Sequence, residues 1–408
     1  MDLIIRQARL ADSADNEPHD IGIADGRIVA IERHIAADAK VYDARRRLAC
    51  GGLIETHIHL DKAHIIDRCT PQPRALLSPV TGVTPLKPSM TVGDIHARAA
   101  RTIEACIKHG ATRMRTQLEV DPGIGMRGFE AVSALVHEYR WAIDIEICAF
   151  AQEGLISYPG TDELLVESLK RGAKLIGGAP RYDKDPAGQI HRVFELAREF
   201  DVDIDLHLDV GTTADHLDVH LVRELTDRYR RGGRVTVGHM AKLSLMAPVE
   251  VAALGRSLAD AGIAVTVLPA TDMFLMGRDH DHKVPRGVAD ANLLLAQGVC
   301  CSLSTNNVMN PATPYGDCSL IRIANLYANI LQLDRPAELA DCFAMLTDRS
   351  AKLLGHDDYG LHVGNPADVV IIDAASPPEA VALIAQPVAA FKRGRQTMVW
   401  ELPKLLGP

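Results

Sequence analysis

Apolar and polar residues alternate along this chain with two different periods, and the periods divide it. Over residues 3–46 the alternation comes in short runs, Leu3-Ile4-Ile5-Arg6, Ile21-Gly22-Ile23 and Arg27-Ile28-Val29-Ala30-Ile31, with Asp25-Gly26 between the last two. An Asp-Gly pair between alternating runs predicts a hairpin. The same texture returns over 364–373 and 389–400, so the two ends, 1–49 plus 356–408, are expected to build one small β-sandwich unit. Between them, over 50–355, apolar β-runs alternate with helical periods. Strands are predicted at 53–58, 112–120, 142–150, 173–177, 202–207, 234–239, 263–268 and 299–304, with helices between most of them, for example at 91–108, 128–139, 189–200, 216–229, 249–261 and 290–296. Such alternation implies a parallel sheet, and roughly eight strands imply an α/β fold of the closed (β/α)8 TIM-barrel type. Residues that do chemistry in such a barrel sit where its strands end.

Composition narrows the picture. The 408 residues, 47% of them hydrophobic, suffice for a barrel of about 250 residues and a smaller attached unit. The net charge of −9, with Lys and Arg scattered rather than clustered, argues against nucleic acid as a partner. Met1-Asp2-Leu3-Ile4-Ile5-Arg6 lacks the apolar core of a signal peptide, and no uncharged apolar run is long enough to span a bilayer, so a cytoplasmic protein without a membrane partner is expected. The eight cysteines include no CxxC pair and read as reduced thiols. Oligomeric state is not legible, and a homo-oligomer is compatible with a large barrel.

Candidate chemistry starts at Glu55-Thr56-His57-Ile58-His59-Leu60-Asp61-Lys62. Side chains two apart on a strand share a face, so His57 and His59 point together at the mouth of the barrel. A divalent metal needs at least one further ligand and an open position. The fifth predicted strand runs into His207 and the sixth ends on His239. Any one of these alone reads as a buried, hydrogen-bonded histidine. Four at the ends of three strands point to a metal site.

With these residues in place the chain resembles the amidohydrolase superfamily, in particular the cytosine deaminase-like branch that includes the N-isopropylammelide amidohydrolases. The matching stretches are His57-Ile58-His59-Leu60-Asp61-Lys62, residues 145–154, Asp203-Ile204-Asp205-Leu206-His207, Val235-Thr236-Val237-Gly238-His239, and Asn306-Asn307-Val308 with Pro314-Tyr315-Gly316. The resemblance implies one divalent metal, zinc or ferrous iron, with His57, His59 and His207 as ligands and His239 orienting water or substrate. It makes Gln152 the amide that reads the edge of a ring-shaped small-molecule substrate. It also implies two departures. Asn306 stands where relatives carry a metal-binding, proton-shuttling aspartate; an amide can ligate a metal or hold water, but it is no general base near neutral pH. Val210 stands where cytosine deaminases carry the glutamate that protonates the ring.

Other groups must then handle protons, and Asp209 and Lys62 are the first candidates, since Asp209 shares the face of His207 if the strand continues. No lysine near the end of the fourth strand suits a second metal, because Lys174 lies at a strand start. The loop 268–282 offers Asp272 and Arg278 toward a substrate, and Asn307 is a further substrate-binding candidate. A second metal at His280-Asp281-His282 is a weaker reading, those residues suiting an exposed loop. The expected activity is metal-dependent hydrolysis of a C–N bond in or on a small nitrogen heterocycle, cyclic amide or amidine. The alternatives are cytosine or isocytosine deamination, and a catalytically silent small-molecule-binding protein on the same scaffold.

Overall fold

The computed structural model describes residues 1–13, 17–70 and 80–406. Eight strands come from the two ends: β1 (Leu3–Leu10), β2 (His19–Ala24), β3 (Arg27–Glu32), β4 (Lys40–Asp43), β5 (Leu48–Gly51), β14 (Val369–Ile372), β15 (Pro387–Lys392) and β16 (Arg395–Val399). They form one mixed sheet in the order β16-β15-β14-β5-β1-β2-β3, with β4 alongside β1. The predicted Asp25-Gly26 hairpin joins β2 to β3. Ile5, Ile21, Ile23, Val369, Ile371 and Phe391 make its own buried core.

The other eight strands are β6 (Leu53–Ile58), β7 (Ala111–Glu119), β8 (Asp144–Ala151), β9 (Leu175–Gly178), β10 (Asp203–Leu208), β11 (Val235–His239), β12 (Ile263–Val267) and β13 (Cys301–Leu303). They pair in sequence order, all parallel. The ring closes where the chain just beyond β13 meets β6: Asn306 N–H donates to the His57 carbonyl at 2.8 Å, and His59 N–H donates to the Asn306 carbonyl at 3.0 Å. The fold is thus a TIM barrel with a sheet from both termini. Helices lie between most strands and start on side-chain caps where the sequence supplies them, Thr91 before Val92–Lys108, Asp185 before Pro186–Glu199 and Asp290 before Ala291–Ala296. Among the described residues no helix is long and apolar enough to cross a membrane.

Parallel barrel strands are covered on both sides and read as nearly continuous apolar runs. The exceptions mark the interior. On β7 Met114 and Leu118 join the apolar core, whereas Arg115 and Gln117 both donate to Asp205 of β10, across the barrel. Barrel and terminal sheet are joined by Lys392 at the end of β15, whose buried ammonium donates to the Thr112 carbonyl (3.0 Å), Asp144 (2.6 Å) and Asp368 (2.7 Å).

Candidate active site

His57 and His59 project from β6 and His207 from β10, all three buried. Their Nε2 atoms converge: His57 to His207 is 3.1 Å, and His207 to His59 is 3.1 Å. Ligands held at about 2.0–2.1 Å around a tetrahedral zinc stand about 3.3 Å apart, so the imidazoles present fit a divalent metal closely. His59 Nδ1 donates to the Gln117 carbonyl at 3.1 Å, which fixes the tautomer and turns the Nε2 lone pair to the centre. Asp205 Oδ1 lies 3.6 Å from His57 Nδ1, and Asp205 is itself held by Gln117 and Arg115. Burial depresses the pKa of all three histidines; Asp205 opposes this at His57, while Lys62 adds to it at His59 and His57 adds to it at His207. The neutral imidazole that results is the metal-binding form. Phe150 of β8 stacks on the His207 ring, centroids 4.8 Å apart.

Barrel closure brings Asn306 beside this group. Its side-chain oxygen and nitrogen are both buried without a hydrogen-bond partner, the state expected of an amide aimed at an ion or water. Its φ of 62° and the 73° of His239 are left-handed values that non-glycine residues seldom adopt, and such strain clusters at functional sites. His239 ends β11. Its Nδ1 meets Asp272 Oδ1 at 2.5 Å, and the ring lines the cavity. Asp272 lies in the short helix Pro269–Leu275 that fills the loop after β12, so it stands behind His239 rather than in the cavity lining.

One cavity holds these groups. His59, His207, His239, Asn306, Asn307, Lys62 and Gln152 line it, together with Val210, Val83, Leu275 and Ala312. Lys62 pairs with Glu119 and donates to Gln152 Oε1 at 3.0 Å. Glu119, Glu153 and Arg181 also line the cavity, and none of them was singled out from sequence. Behind Glu119 lies Lys87, which reaches Glu119 (2.9 Å), Asp121 (2.6 Å) and Glu153 (2.5 Å). Burial alone would raise Glu119, but Lys62 and Lys87 overrule it and hold the carboxyl at about 2. The available signal was Arg115-Thr116-Gln117-Leu118-Glu119, polar at every second position of a strand buried throughout.

Other candidates lie elsewhere. The strand does not continue to Asp209: a left-handed turn there, φ 54°, sends its carboxylate to accept from the backbone N–H of Asp218 (2.9 Å) and Val219 (3.2 Å), at the start of the helix Val219–Tyr229. Burial raises this carboxyl to about 6, although those two N–H groups and Lys242 oppose it. Arg278 lies over the Phe274 ring in a separate groove on the other face of the helix Pro269–Leu275. His280 and His282 are exposed, each paired with its preceding aspartate. Lys174 directly precedes β9, at the opposite end of the barrel from the histidines.

Comparison with known proteins agrees with this geometry. The model of the Amidohydrolase family matches residues 86–398. The chain is 29% identical to an N-isopropylammelide isopropyl amidohydrolase of Pseudomonas sp., over 97% of this chain and 96% of that protein. It is 27% identical to a pterin deaminase of Rhizobium rhizogenes, over 87% and 82%. The crystal structure of 5-methylcytosine deaminase from Klebsiella pneumoniae with 5-fluorocytosine superposes with a TM-score of 0.92 at 28% identity, covering 99% of both chains. The chain belongs to the amidohydrolase family, as a hydrolase acting on non-peptide C–N bonds.

Proposed function

We propose that this protein hydrolyses a C–N bond of a small nitrogen heterocycle or cyclic amide, with one divalent metal, zinc or ferrous iron, held by His57, His59 and His207 and faced by Asn306. The names of the relatives specify an ammelide, a pterin and a cytosine, all nitrogen heterocycles, which supports this substrate class. When bound, the metal supplies Lewis-acid polarisation and a water acidic enough to attack near neutral pH. The observation that carries the chemistry is the His239–Asp272 pair. With Nδ1 committed to Asp272, His239 keeps Nε2 for the cavity. It takes the proton of the attacking water there and delivers it to the leaving nitrogen as the C–N bond breaks. Asp272 orients the ring and stabilises its charged form, a role that the amide of Asn306 cannot fill. Lys62 and Gln152 hold the ring. Val210 offers no proton to a ring nitrogen, which disfavours cytosine.

The test is a panel of amino- and oxo-substituted pyrimidines, triazines and pterins, assayed for released ammonia or amine alongside metal analysis. Asp272→Asn is expected to retain metal and fold while kcat falls about 100-fold or more. Asp209→Asn should leave kcat nearly unchanged. Full metal occupancy with no turnover of any ring would favour a silent binding protein, and full activity of Asp272→Asn would remove the proton route.

A further inference from the structure

Two amides that line the cavity, Gln152 and Asn307, are turned the same way. Gln152 Oε1 accepts from Lys62, and an ammonium donates but cannot accept, so the amide is fixed with its NH2 toward the cavity. Asn307, also in the lining, accepts at Oδ1 from Asn310 Nδ2 at 2.6 Å, so its NH2 is left with only a long 3.5 Å approach to Thr271. Both oxygens of Glu119 are engaged, Oε1 by Lys62 and Oε2 by Lys87, while Lys87 and the Thr84 hydroxyl, at 2.7 Å, share Oε1 of Glu153. Lys87 does not line the cavity and is almost fully buried. The oxygens of Glu119, Asp121 and Glu153 have metal-like spacing, but the Lys87 ammonium sits among them and takes the place of a cation. Without it, Glu119 would lose one of its two cations and hold Lys62 more tightly, away from Gln152.

We propose that the cavity selects rings presenting an edge of acceptors, carbonyl oxygens or a deprotonated ring nitrogen, and that Lys87 is the positioning residue that sets this polarity. The inference rests on the hydrolase reading only for where the ring lies. A donor facing a donor leaves both unpaired in a dry site, a mismatch of at least about tenfold in affinity.

Calorimetric binding of barbituric acid, rich in acceptors, and of triaminopyrimidine, rich in donors, to the metal-loaded protein tests it. The wild type is expected to favour barbituric acid about tenfold or more. Gln152→Glu, which turns an acceptor to the cavity, should reverse the preference. Lys87→Met should abolish it and Lys87→Arg should keep it. Because Lys87→Met endangers folding, Lys87→Met combined with Asp121→Asn carries the same test with one buried charge fewer. Equal binding, preference for triaminopyrimidine, or no binding of either by the wild type overturns the proposal. A preference that survives loss of Lys87 overturns the positioning role. A protein that prefers barbituric acid yet hydrolyses no ring keeps this inference and loses the hydrolase reading.

Discussion

At the scale of single residues, the histidine cluster depends on a neighbour with no side chain. A Cβ built on Gly238 of β11 would stand 3.1 Å from His57 Cε1 and 3.3 Å from its Nδ1, so the ring lies against β11 only because that position is glycine. Gly238→Ala is therefore expected to tilt His57 and weaken metal retention about tenfold, with little change in thermal stability of the metal-free protein. Chelator competition measures this, and unchanged affinity would dismiss the steric account. The same scale shows what the sequence could not disclose. His57, His59, His207 and His239 were legible because strand alternation and strand ends set their direction. Asp209 was not, because a left-handed turn at the residue itself redirects it. Nothing in the composition announces such a turn at an aspartate.

At the scale of elements, the barrel strands and the main helices follow the hydrophobic periods to within a few residues, since burial on both faces leaves unambiguous apolar runs. The helices Thr161–Lys170 and Leu320–Leu331 were not read, nor was the charged seam joining the ends of β7 and β8 to Lys87. Its members are scattered through the chain, and pairing across that distance leaves no local pattern. The seam does leave a pH signature. Glu119 is held at about 2 in the folded protein against an ordinary 4.5, so the native state binds fewer protons than the unfolded chain in that window. Its stabilising contribution is complete above pH 4.5 and is lost as the pH falls toward 2. Urea midpoints taken on either side of pH 4.5 should fall more steeply with acid in the wild type than in Glu119→Gln. Parallel slopes would show that the depressed carboxyl contributes nothing to acid stability.

At the scale of the whole molecule, the barrel and the terminal sheet share one buried cation, Lys392, with Asp368 and Asp144. Lys392→Met strands a buried carboxylate, and a loss of about 3 kcal/mol is expected. Denaturant unfolding followed separately in the two sheets should show them parting, and a single unshifted transition would contradict the clamp. The closure of the ring at Asn306 has a consequence of another kind. Glu55 and Thr305, 250 positions apart, share a hydrogen bond at the same junction. During synthesis the first barrel strand leaves the ribosome long before the last, so the three histidines are all made while the junction beside them is still open. A nascent chain halted before Asn306 carries every imidazole and no sealed mouth, and it is expected to hold an ion loosely and exchange it freely. Tight binding is then expected only after the segment around Asn306 has emerged and closed the ring, while the last strands of the terminal sheet are still being made.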